Sequence, residues 1–124
     1  MAVGVRQRVK DGQTKPTRYY SHKQETKVAE ELGGKVQPNS GAVPFDKGDV
    51  VLDKWLIEAK TSTTDKLSFA IKKGWLEKNT QESLFIGKPY SALVFNFGPG
   101  QENYYVIDEP TFKEFLELQH KNVV

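Results

Sequence analysis

The chain predicts an α/β domain, one mixed sheet with helices packed on it. Three features carry that prediction. Residues 48–60 (GDVVLDKWLIEAK) place apolar runs on both sides of a polar Asp53-Lys54 pair, the pattern of a two-stranded hairpin. Residues 90–97 (YSALVFNF) are apolar on both faces, as a central strand is. Other stretches carry apolar residues at helical spacing and end at glycine or proline. The predicted order is helix, weak strand, strand, strand, helix, strand, strand, helix.

The first helix opens at a Ser21-x-x-Gln24 capping box and continues through Val28, Ala29 and Leu32 to a Gly33-Gly34 stop. Glu25 precedes Val28, Ala29 and Leu32 by three, four and seven residues, so it shares their inward face. Glu30 and Glu31 point to solvent. A carboxylate at the position of Glu25 either favours the positive end of the helix dipole or reaches a metal site at the sheet edge. Lys35-Val36-Gln37-Pro38 reads as a short edge strand. In the Asn39-Ser40-Gly41 turn, Ser40 is either an ordinary turn residue or a donor to phosphate.

Let Asp53-Lys54 be the whole hairpin loop. Leu52 then faces Trp55, Val51 faces Leu56, Val50 faces Ile57, and Asp49 faces Glu58. Opposed residues have Cβ atoms about 4.5–5.5 Å apart, so two carboxylates there repel unless a positive charge lies between them. Lys60 leaves the strand on the face of Glu58. Val50, Leu52, Trp55, Ile57 and Ala59 form the other, core-facing side. Such a hairpin suits a divalent metal ion and a lysine beside a scissile phosphate. A surface hairpin with a solvated charged edge is the alternative.

After the polar loop 61–65, Leu67, Ala70, Ile71 and Trp75 recur as one helical stripe, with Lys66, Lys72 and Lys73 on its flank. These lysines are either a solvated face or a track for DNA. Gly74 marks a break, and a second helical stretch runs through Leu76, Thr80, Ser83 and Leu84 to Gly87. A strand follows Gly98-Pro99-Gly100, over 103–107 (NYYVI). Pro110 suits the first turn of the last helix, whose expected buried side is Phe112, Phe115 and Leu116, with fraying from His120.

A length of 124 residues fits one domain. The absence of cysteine excludes disulfides and zinc–thiolate sites and agrees with a reducing compartment. No run of about 18 apolar residues occurs, so no membrane partner is expected. The first residues lack the apolar core of a secretory signal, so the expected location is the cytoplasm. Net charge is only +2, but Arg6, Arg8, Lys10, Lys15, Arg18, Lys23 and Lys27 crowd the first 27 residues. Residues 1–20 read as a basic arm, either a solvated tail or a binder of phosphate backbones, and 21–124 as the folded domain.

The ordered set of a helix with Glu25, then Gly48-Asp49, then Glu58-Ala59-Lys60, then a helix and an apolar strand resembles the PD-(D/E)xK nuclease superfamily. Within it, the chain looks most like the Holliday-junction resolvases of archaea and related small phage endonucleases. The Glu25 helix ending in Leu32-Gly33-Gly34, the Asn39-Ser40-Gly41 loop and the run from Ile71 to Gly98 carry that narrower likeness, which covers about residues 20–118. Gly48 stands where the motif's namesake proline would be, and Lys35 is the nearest cation to the serine loop, where the family often has an arginine.

The resemblance implies a restriction-endonuclease-like fold: a mixed central sheet with an αβββαβ core flanked by helices, plus a C-terminal strand and helix. It implies a Mg²⁺-dependent endonuclease, with Mn²⁺ as a substitute, that resolves branched DNA junctions and leaves a 5′-phosphate and a 3′-hydroxyl. A nicking or restriction-type duplex nuclease, and a non-catalytic DNA-binding protein on the same fold, stand as alternatives. Catalysis would fall to Glu25, Asp49, Glu58 and Lys60. The metal would take Asp49 and Glu58, with Glu25 and the Ala59 carbonyl, directly or through water. Lys60 would orient the attacking water or stabilise the transition state. DNA contacts would come from Arg6, Arg8, Lys10, Arg18, Ser40, Lys72 and Lys73. The implied assembly is a homodimer with two-fold symmetry, in a bacterial, archaeal or phage-infected cell.

Overall fold

The computed structural model describes residues 15–37 and 49–123. Its elements are α1 (Thr17–Leu32), β1 (Lys35–Val36), β2 (Val50–Val51), β3 (Trp55–Lys60), α2 (Lys73–Phe85), β4 (Tyr90–Phe95), β5 (Tyr104–Val106) and α3 (Glu109–Val123). The five strands form one sheet in the order β1-β2-β3-β4-β5. β3 and β4 are parallel, joined by the α2 crossover, and all other neighbours are antiparallel. The predicted α/β class and order of elements hold. Arg6, Arg8, Lys10, the Asn39-Ser40-Gly41 loop and Gly48 lie outside the described residues.

The hairpin register is as the alternation predicts. Val50 pairs with Ile57 and Val51 with Leu56. Leu52 N–H donates to the Trp55 carbonyl at 2.9 Å, closing the chain over Asp53-Lys54. Successive β3 residues then point to opposite faces. Val50, Ile57, Ala92 and Val94 join Val28 and Ala29 of α1 in the core. On the other face α2 covers Leu56 and Leu93, both fully buried. Buried Asn79 of α2 donates to the Ala92 carbonyl at 2.9 Å, pinning that helix to β4.

α1 ends as its glycines require. Gly33 sits at φ 76° in the left-handed region, where a side chain is disfavoured. At Gly34 a Cβ would stand 2.8 Å from the Val51 carbonyl oxygen, so only glycine lets the helix end cross β2.

Three expectations are corrected. The first helix begins at Thr17 and not at Ser21, so residues 17–20 belong to it and not to an arm; Ser21 Oγ donates to the Arg18 carbonyl in place of a cap. The apolar stripe 67–75 is not one helix. Residues before Lys73 are irregular, Lys66 N–H donates to the Phe97 carbonyl, and Phe69 stacks on Phe95 at 4.8 Å. Helical spacing lost there to long-range ring packing. The face of α3 read as buried is open, with Phe112, Phe115 and Leu116 between 41% and 54% exposed. α3 starts where Asp108 Oδ1 accepts from Thr111 N–H, and it meets the sheet through Phe115 against Trp55 and Glu114 against the Tyr90 hydroxyl.

Candidate active site

β3 runs on to Lys60 beside β4, while its described ladder with β2 stops at Val50–Ile57. One further step of the register sets Asp49 across from Glu58, and both residues are only 2% exposed. Lys60 Nζ lies 2.6 Å from Glu58 Oε2. Two residues apart on a strand, the two side chains share one face, which is why they meet.

Lys60 is held from a second side by Trp75 at the start of α2. Its Nζ stands 4.3 Å from the indole centroid, within cation–π range. Lys72 Nζ is 5.5 Å from the same ring. The ammonium thus sits between a carboxylate and a ring face, and two lysines border one indole. Sequence spacing had placed Trp75 on a helical stripe with Leu67, Ala70 and Ile71; its contact with Lys60 shows only once α2 is laid over the end of β3.

The end of β3 is also fastened from α1. Gln24 Nε2 donates to the Lys60 carbonyl at 3.2 Å, and Thr61 Oγ1 donates to Gln24 Oε1 at 2.8 Å. Ser62, directly after, donates to the Asn96 carbonyl at 3.0 Å. These links hold the backbone that carries Glu58 and Lys60. Gln24 had been read as half of a capping box, and no local pattern ties it to Lys60, 36 residues away.

Glu58 supplies the test of whether a metal suits this place. Its Oε1 is buried with no hydrogen-bond partner. A buried carboxylate oxygen without a donor is costly, and a hard cation is what would satisfy it. Mg²⁺ commonly binds through one or two carboxylates and keeps its waters, so Asp49 and Glu58 are an adequate donor set. Among the described residues no three acidic, histidine or cysteine side chains form a metal-holding group. Glu25 comes from α1, on the opposite face of the sheet from Glu58. It is buried, and burial pushes its carboxyl up to about 7, against the opposing charge of Arg18. Ala59 is half-buried against the core.

The described DNA-contact candidates divide. Arg18 is exposed on α1, two turns from Glu25. Lys72 caps the start of α2 beside Trp75, near Lys60. Lys73 points to solvent, with Glu77 at 3.8 Å.

Compared with protein-family models, with curated proteins and with solved structures, the chain matches none.

Proposed function

We propose that the chain is a Mg²⁺-dependent, structure-selective DNA endonuclease that resolves branched junctions. The observation that carries this is the Glu58–Lys60 ion pair at the end of β3, with Glu58 buried and Asp49, also buried, one register step beyond the Val50–Ile57 pair. Asp49 and Glu58 would hold the ion, with the Ala59 carbonyl as a further oxygen; Glu25, expected from the resemblance to join them, lies on the α1 face and has no part in the site. When bound, Mg²⁺, or Mn²⁺ in its place, supplies charge neutralisation at the phosphate and a more acidic water. Lys60, steered by Trp75, would donate to a phosphate oxygen and stabilise the charge that builds there. Lys72, beside it, would contact the next phosphate.

A homodimer would bring two such sites to the two strands of a junction. The open apolar side of α3, continuous with exposed Tyr105, supports an interface there.

The test is cleavage of a labelled four-way junction and of a linear duplex of the same sequence, with Mg²⁺ or with EDTA. Wild type cuts the junction in Mg²⁺ alone. Lys60→Ala cuts it about 10²–10³-fold more slowly, as loss of one transition-state donor does, while still binding it. Equal cutting of both substrates would make it a duplex nuclease. Failure to cut either DNA would leave a binding protein.

A further inference from the structure

We propose that the cavity at the carboxyl ends of β3 and β4, on the α1 side of the sheet, seats one unpaired nucleotide of a nucleic-acid strand. The cavity measures about 240 Å³. That is somewhat below the range of about 300–1,000 Å³ for pockets that hold drug-sized ligands. It suits a planar ring with its phosphate outside, and a paired duplex cannot enter it. The carboxyl ends of parallel strands are also where open α/β sheets place their ligands.

The lining specifies the ligand. Lys23 and Lys27, one turn apart on α1, both border the cavity, and among the described residues no carboxylate does. An anion is therefore favoured at its rim. Tyr19 and Tyr20 stand beside them, with their rings edge to face at 5.3 Å and 87°. Lys15 and Lys23 lie 4.5 and 5.5 Å from the Tyr19 centroid, so cations flank an aromatic surface. Alternating rings and cations are how proteins hold single strands, the rings stacking on bases and the cations following phosphates. Asn96 donates to Asn103 Oδ1 at 3.1 Å, which leaves the Asn103 amide N–H groups to address a base edge.

The cavity joins the candidate active site through one residue. Thr61 lines it, and Thr61 follows Lys60 directly. Gln24, also in the lining, bonds both the Lys60 carbonyl and Thr61. A strand crossing the end of β3 would pass from Lys60 on one face to the tyrosines on the other. Unpaired nucleotides occur in flaps, gaps and single-stranded arms and not within duplex or a fully paired four-way junction, so the seat would favour branched DNA that carries a single-stranded segment. The seat stands on its own lining; only its part in selecting branched DNA rests on the nuclease reading.

The experiment titrates fluorescein-labelled hexathymidylate into the full chain in EDTA, where no cleavage occurs. Tyr19→Ala should weaken binding about tenfold, the loss of one stacked base. Tyr19→Phe, which keeps the ring, should bind as wild type does. The double variant Lys23→Ala/Lys27→Ala should flatten the slope of log K against log salt by about 1.4, two single-strand phosphate contacts. Circular dichroism confirms that each variant is folded; these side chains are on the surface. Unchanged affinity in both Tyr19→Ala and the lysine variant overturns the seat. If a junction is nevertheless cut in Mg²⁺, the seat alone fails and the nuclease reading survives. If the oligonucleotide binds as described and no DNA is cut, the seat survives and the nuclease reading fails.

Discussion

Neighbouring residues of β3 live in two different chemistries. Ile57 and Ala59 look toward α1 and meet Val28, Ala29, Val50 and Val94, an apolar cluster. Leu56, Glu58 and Lys60 look toward α2. There the contacts turn polar along the strand: Leu56 is apolar, Glu58 is a nearly buried carboxylate, and Lys60 lies under an indole. The first face lowers free energy by removing hydrocarbon from water. The second keeps charges where water is scarce, which stabilises little and often costs. A protein that needed only a stable sheet would be better served by two faces like the first. That difference is what the proposed site rests on.

The largest expected contrast in stability tests the apolar side. Ile57→Ala should cost about 2–5 kcal/mol, the range for truncating a buried aliphatic side chain. Urea unfolding reads it directly. A loss below about 1 kcal/mol would mean that this face is not the core.

Glu25 sharpens the contrast, because it is an acid placed on the apolar side. Burial pushes its carboxyl up to about 7, from an ordinary value of 4.5. Between those values the folded state holds a proton that the unfolded chain has released. Stability should therefore fall as pH rises from about 4.5 to about 7, and stay low above that. At about 1.4 kcal/mol per pKa unit the loss is at most about 3.5 kcal/mol, and partial access of solvent to the carboxyl screens it below that. Glu25→Gln should raise the melting temperature at pH 8, leave it little changed at pH 4, and flatten the profile between. Identical pH profiles for the two proteins would show that Glu25 is solvated.

The smallest effect concerns Trp75. As a positioning residue it should matter more for rate than for binding. Trp75→Leu keeps apolar cover over Lys60 and removes the ring face, worth about 0.5–2 kcal/mol. Cleavage should slow roughly 3–30-fold at saturating junction, with little change in the concentration needed for half-maximal rate. A change confined to that concentration would reassign Trp75 to DNA contact.

How much could be read in advance follows from how local each feature is. The hairpin was legible down to its register, since alternation and a polar pair define pleat and turn within 13 residues. The face shared by Glu58 and Lys60 came with it, because side chains two apart on any strand lie on one side. The helix over 67–75 was misread because Leu67, Ala70 and Ile71 have helical spacing, yet Leu67 is wholly exposed and Phe69 leaves to stack on Phe95. Spacing states what a segment could bury, not whether a partner surface is there to receive it. The same limit explains α3, whose apolar stripe is real and is left open by this chain.

By itself, then, the order of residues determined the strands, their alternation, the glycine stop of α1 and the placement of Asp49, Glu58 and Lys60 on one ribbon. Those depend on bond geometry and on neighbours a few positions away. Tertiary structure alone decided that Trp75 lies under Lys60, that Gln24 ties down its backbone, that Glu25 is buried on the opposite face, and that two tyrosines and two lysines of α1 border one cavity. Each of these joins segments far apart in the chain, and such contacts exist only after the sheet has set the distances between them.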